Sequence, residues 1–174
     1  SEVFRGEEDV LSNFYPCDLI WNGQHYASAE HIYQAEKARP NGRPDVAAEI
    51  QSCERAVDAK KLGKKVYTVQ KWEEENEQLM LHILRAKLNQ LKDLSDYLRG
   101  TKSLIAEAVP FDLHWGCGLG KKAATNTDPQ KWPGKNVLGN MWMSLRQELI
   151  EEAPKRMDKR KDRGSDSLDE NPVS

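Results

Sequence analysis

Met80, Leu84, Leu88, Leu91, Leu94 and Leu98 recur at helical spacing through "EEENEQLMLHILRAKLNQLKDLSDYLRG". Acidic residues lead this stretch and Gly100 closes it, so the pattern predicts the longest helix of the chain. One position interrupts the apolar arc: Lys87 falls among the leucines. A second amphipathic stretch, "NVLGNMWMSLRQELIEE", puts Leu138, Trp142, Leu145 and Leu149 on one face, with Asn136 as a candidate cap. A third, "SAEHIYQAEKA" over residues 28–38, has two polar faces. Glu30, Gln34 and Lys37 share one stripe with Tyr33 beside them; Glu36 and Arg39 lie opposite, and Ala29, Ala35 and Ala38 fall between. Ser28 is placed to cap this helix, and Pro40 stops it because a residue before proline avoids helical angles. One polar face meets water. The other needs something else to face.

Shorter signals complete the pattern. "DLIWNGQHYA" reads as two strands around an Asn22-Gly23 turn. "DVAAEIQSC" and "AVDAKKLGKK" predict two short helices, the second stopped at Gly63, and "SLIAEAV" predicts a short strand. Residues 110–136 have no periodicity. A loop this long within a domain is functional or disordered, and Trp115 and Trp132 argue against disorder. Few strands among many helices give an α+β, mainly helical fold, with one domain over residues 1–153. From Pro154 the apolar pattern stops, and the charged stretch 154–174 reads as a disordered tail.

Composition narrows the function. The chain has 174 residues, 31% of them charged, with a formal net charge of only -2. No global field draws it to nucleic acid, so any anion site must be local. The basic cluster from Lys155 to Arg163 reads as a solvated tail, with contact to nucleic acid or a nuclear signal as the alternatives. Cys17, Cys53 and Cys117 are odd in number and widely spaced, which points to unpaired, packed thiols in a reducing compartment. No apolar run approaches a membrane span, and an intracellular, cytoplasmic protein is expected. His25, His31, His82 and His114 show no ligand spacing, so no metal is expected.

Four places could carry chemistry. Lys37 and Lys87 each sit where burial or neighbours could lower an amine pKa, as a nucleophilic lysine requires; surface and snorkelling roles account for the spacing as well. "FDLHWGCGLGKK" sets Asp112 near Trp115 and Gly116, Gly118 and Gly120. Glycines admit a close ligand and the indole can stack on one, although a plain loop with a capping Asp explains the string equally well. Lys135 and Asn136, in "WPGKNVLG", offer a cation and free N–H groups at a helix start, or simply a capped helix. In "VLSNFYP", Ser12 and Asn13 can bond a planar polar ligand and Phe14 can stack on it, or the stretch is a turn with core aromatics.

These stretches also occur together and in this order. "LSNFYP", "NGQHYASAEHIYQAEKA", "AVDAKKLGKKV", "KWEEENEQLMLHILRAKLNQ", "DLHWGCG" and "GKNVLGNMWMSLRQEL" resemble the YbiA-like, or NADAR, family from about Phe4 to Glu151. The resemblance implies an N-glycosidase without cofactor. Its substrate is ADP-ribose attached to guanine in DNA, RNA or nucleotide, or a ribosylated pyrimidine intermediate of riboflavin synthesis. It further implies a lysine that forms a Schiff base with ribose C1. Carried over, this is Lys37, with Glu30 and then Asp112 as proton-handling partners and Lys87 as the runner-up nucleophile. Ser12, Asn13, Phe14, Gln34, Trp115, Gly116, Lys135 and Asn136 would line the ligand site. Hydrolysis by activated water and a non-catalytic ADP-ribose reader are the alternatives. One departure is an insertion over residues 119–133, expected to border the pocket and to offer Asn126, Lys131 or Trp132 to a larger ligand.

Overall fold

A computed structural model describes residues 1–152. The elements run β1 (Glu2–Phe4), β2 (Leu19–Trp21), β3 (Gln24–Tyr26), α1 (Ala29–Ala38), α2 (Pro44–Ser52), α3 (Ala56–Gly63), α4 (Gln70–Gln90), α5 (Leu94–Gly100), β4 (Ile105–Glu107), α6 (Lys121–Thr125) and α7 (137–152), with a 3-10 turn at Pro129–Lys131. The fold is α+β and mainly helical. The tail expected over 154–174 lies outside the described residues.

β2 and β3 form the hairpin read from the sequence, and its turn needs the left-handed backbone that Asn22 (φ 50) and Gly23 (φ 75) supply. The sequence pattern does not reveal that β1 pairs in parallel with β4, which brings the start of the chain beside Glu107. α1 is the central element. The Ser28 hydroxyl accepts the His31 N–H at 3.1 Å, capping it as expected. It packs against α2, α3 and α4, and all but two of its residues are buried. α3 comes close because Gly63 has no side chain: a methyl built there would stand 1.8 Å from Gln34 Oε1. α7 approaches β4 in the same way, since a methyl at Gly139 would lie 2.3 Å from the Ile105 carbonyl.

The long helix expected through Gly100 is two helices. Leu91 takes an extended ψ of 121° and Asp93 a left-handed φ of 69°, which ends α4 and redirects the chain. The turn returns Leu94 and Leu98 to the core, where both are buried. Tertiary packing thus overrides an unbroken helical repeat. Met80, Leu84, Leu88, Leu138, Trp142, Leu145 and Leu149 are buried as their spacing predicts. The three cysteines are free.

Candidate active site

Glu30 occupies the first turn of α1, and its backbone N–H donates to the Asn13 carbonyl at 3.0 Å. That bond pins the "LSNFYP" segment to the helix start. The Glu30 side chain is only 6% exposed and accepts a 2.8 Å hydrogen bond from Gln34 Nε2. Burial pushes its pKa up; the Gln34 bond and then Lys60 and Lys37 oppose this, and Asp112 reinforces it.

β4 supplies a second buried carboxyl, within the field of Glu30. Glu107 is also 6% exposed, and burial, then the charges of Asp112 and Glu30, push its pKa up to about 8 against the pull of Lys60. Asp112 supplies the third carboxyl. Its Oδ1 accepts the His114 and Trp115 N–H groups at 3.1 and 3.0 Å, which bends the loop and sets the Trp115 ring. Lys60 Nζ stands 5.7 Å from the Phe14 ring centroid, within reach of a cation–π attraction. So α1, β4, α3 and two loops bring three carboxyls and a lysine together.

Beside this cluster lies an open cavity of about 420 Å³ whose wall includes Tyr33, Lys37, Trp72, Glu73, His114 and Trp115. The Tyr33 ring meets Trp72 at 5.4 Å and Trp115 at 5.8 Å between centroids, an aromatic surface suited to a planar ring. Glu30, Glu107 and Asp112 are not part of this wall. Two residues join it to the carboxyls. Burial, and then the charges of Glu30 and Glu73, hold the Tyr33 hydroxyl far above the usual range. Lys37 is half-buried; burial lowers its pKa, and Glu30 and Glu73 raise it. The inward polar face of α1 therefore has an address: Glu30 lies in the cluster and Lys37 at the cavity. Glu36 and Arg39 pair with each other on the outer side.

Other residues singled out in the sequence have different surroundings. The Ser12 hydroxyl is buried and accepts the Phe14 N–H at 3.1 Å, so it shapes its own turn rather than offering itself to a ligand. Asn13 keeps a sealed, unpartnered Oδ1 while its Nδ2 points at Met80 Sδ. A methyl at Gly116 would lie 3.0 Å from the Glu107 carbonyl, so the glycine serves a close loop–strand approach. Asn136 does not cap α7 with its side chain or face a cleft. Its Oδ1 accepts the Glu107 N–H at 3.0 Å and its Nδ2 donates to the Ile105 carbonyl at 2.9 Å, which uses the amide to clamp β4. The Lys135 side chain is exposed and outside the cavity wall.

Lys87, the runner-up nucleophile, is sealed. It is 0% exposed, donates to the Ser12 carbonyl at 2.8 Å and sits 5.5 Å from the Tyr15 ring centroid. It braces the turn that carries Phe14. The insertion does not border the cavity either. Trp132 packs beside Ala106, Ala108, Cys117 and Ala124 and donates to the Ala124 carbonyl, while Asn126 and Lys131 are exposed. The 119–133 segment closes its own small core instead of enlarging a ligand site.

Glu107 and Lys60 are absent from the sequence reading. A Glu in a three-residue strand carries no period, and Lys60 is one of four lysines within residues 60–65. Among the described residues no His/Cys/Asp/Glu group could hold a metal ion, and no helix is long and apolar enough to cross a membrane.

Comparison with known proteins bears on the family and the fold. A model of the NADAR domain family matches residues 3–150. N-glycosidase R617 of Acanthamoeba polyphaga mimivirus is 33% identical over 147 residues, covering 80% of this chain and 86% of the relative. A protein named for riboflavin biosynthesis, VVA0006 of Vibrio vulnificus, is 31% identical over 149 residues, but the match spans only 36% of its length. The NMR structure of Escherichia coli YbiA superposes with a TM-score of 0.69 at 27% identity, covering 86% of this chain and 84% of that one.

Proposed function

This chain belongs to the NADAR family, and on that premise we propose that it is an N-glycosidase acting at the cavity beside α1. It is a hydrolase of N-glycosyl bonds, the activity named for the mimivirus relative that it matches over most of both lengths. Its substrate is a ribosylated base, and in this reading it releases ADP-ribose from guanine in nucleic acid or nucleotide.

The observation that carries the mechanism is Lys37, an amine with a burial-lowered pKa on the wall of an aromatic cavity and within the field of Glu30. C1 of an N-riboside is at the oxidation level of an aldehyde. The neutral Lys37 amine displaces the base, the sugar ring opens to an iminium, and water releases the sugar with its phosphates attached. Glu30 takes the proton that the amine must lose, and Asp112 holds Trp115 against the base. The aromatic wall accommodates purine and pyrimidine alike, so the phosphorylated ribosylamino-pyrimidines of riboflavin synthesis are the second substrate class. Support for it is the name of the Vibrio relative. Lys60 is the competing amine, because its charge bears on Glu30 more strongly than that of Lys37. A non-catalytic reader would have no use for buried carboxyls beside the lysines.

Cyanoborohydride trapping tests this. The protein is incubated with a guanine-ADP-ribosylated oligonucleotide and, separately, with a ribosylamino-pyrimidine, and adducts are mapped by mass. An adduct on Lys37, lost in Lys37→Ala, is the expected result, and the tube in which it forms identifies the substrate class. An adduct on Lys60 moves the nucleophile to α3. Base release without any lysine adduct overturns the covalent route in favour of water activated by Glu30 or Asp112.

A further inference from the structure

The mechanism so far gives tasks to Lys37, Glu30 and Asp112 and leaves the third carboxyl idle. We propose that Glu107 is the proton donor to the leaving base. The assignment rests on the N-glycosidase reading and adds the residue that acts at the base while Lys37 acts at the sugar.

Placement is the first argument. Glu107 ends β4, a methyl at Gly116 would lie 3.0 Å from its carbonyl and 3.4 Å from Asp112 Cβ, and Asp112, Glu30 of α1 and Lys60 of α3 are the charges that bear on its carboxyl. Rigidity is the second. Its backbone N–H is held by Asn136 Oδ1 at 3.0 Å, and its carbonyl accepts the Cys117 N–H at 2.8 Å. Gly116 permits that closure, since a methyl there would crowd both the Glu107 carbonyl and Asp112 Cβ. A buried Asn and a Gly thus fix one strand residue whose side chain does no structural bonding. Among the described residues nothing donates a hydrogen bond to the Glu107 carboxyl. Its oxygens are nevertheless not among the sealed, unpartnered polar atoms, which are Asn13 Oδ1, Trp21 Nε1, Gln34 Oε1 and Arg99 Nε. The carboxyl is buried, unbonded and still open at an edge.

Protonation follows from the same surroundings. Burial and the Asp112 and Glu30 carboxylates outweigh Lys60 and set the pKa at about 8, so Glu107 carries a proton at neutral pH. A base nitrogen is a poor leaving group as an anion. When the C1–N bond breaks, its electron pair goes to the base nitrogen, which takes the Glu107 proton. C1 bonds to the Lys37 amine, whose proton goes to Glu30; water then adds to C1 and returns a proton to the Glu107 carboxylate, and the C1–Lys37 bond breaks as the amine takes its proton back from Glu30. The sum is addition of water across C1–N.

Two measurements test the assignment. On an unactivated N-riboside, Glu107→Gln should lower kcat about 100-fold or more, whereas a nitrophenyl riboside, whose leaving group needs no proton, should lose only a few-fold. The fall of wild-type kcat as pH rises through about 8 should vanish in the variant. Equal losses on both substrates, or survival of the alkaline fall, overturns the role. The second measurement needs no turnover: the carbon-13 carboxyl resonance that disappears in Glu107→Gln should titrate above neutrality in the wild type. Titration in the ordinary carboxylate range, with the enzyme active, overturns the donor assignment alone. A wild type that releases no base from any riboside overturns the N-glycosidase reading, and the donor role with it.

Discussion

Lys37 and Lys87 are both buried enough to lose part of their affinity for a proton, yet their neighbourhoods differ in kind. Around Lys87 the pKa falls to about 8, the larger effect, because the amine is sealed between the Ser12 carbonyl and the Tyr15 ring. Around Lys37 two acidic side chains, Glu30 and Glu73, work against burial, and the amine stays at the wall of a cavity. An easily deprotonated amine is therefore not the same as a nucleophile. Reactivity needs a path to the substrate and a partner for the proton, and of these two lysines Lys37 is the one at a cavity wall and in the field of carboxyls.

The sharpest break between the two is turnover. Lys37→Ala should cost about 1,000-fold or more in kcat and abolish hydride trapping, since it removes the proposed bond-forming atom. Lys87→Met should leave kcat within a few-fold for the folded fraction. If the two losses are reversed in single-turnover assays, access was the wrong criterion.

Stability should separate them the other way, with a pH signature. In the unfolded chain Lys87 titrates near 10.5, in the folded protein near 8. Between these values the unfolded state binds more protons, so stability rises with pH. The gain, roughly 3 kcal/mol at most, should be missing in Lys87→Met, as urea unfolding at a series of pH values would reveal. Lys37, half-exposed, should show far less.

Asn136→Ala extends the comparison to an anchor. It releases the Glu107 N–H and the Ile105 carbonyl together and should cost about 2–4 kcal/mol in denaturant unfolding. The accompanying kcat loss should track misplacement of Glu107. The smallest effect is expected at Trp132→Ala. KM should change by less than about 2-fold, because the insertion packs on its own core away from the cavity. A large rise in KM would restore the insertion as a ligand wall.

Much of this molecule is legible one segment at a time. The hairpin at Asn22-Gly23, the Ser28 cap, the stop at Gly63 and the apolar faces of α4 and α7 follow from local rules of turn, cap and period. So does the anomaly of α1, whose inward polar stripe is visible before any of its neighbours is known. What local rules miss is equally specific. The break at Asp93 has no glycine or proline to announce it, because it is imposed by the need to bury Leu94 and Leu98.

The sequence by itself determined the helical frame, the stripe of Glu30, Gln34 and Lys37, and the ordered motifs that identify the family. These depend on residues close in the chain, whose spacing is set by the helix and strand repeats. Only the tertiary structure decided that Glu107 and Lys60 join Glu30 and Asp112, that Asn136 serves β4, and that Lys87 is sealed. Those outcomes depend on parallel pairing of β1 with β4 and on close approaches at Gly63, Gly116 and Gly139. Burial and the fields of distant charges set each group's proton affinity and its access to substrate, and neither quantity exists until the chain has closed on itself.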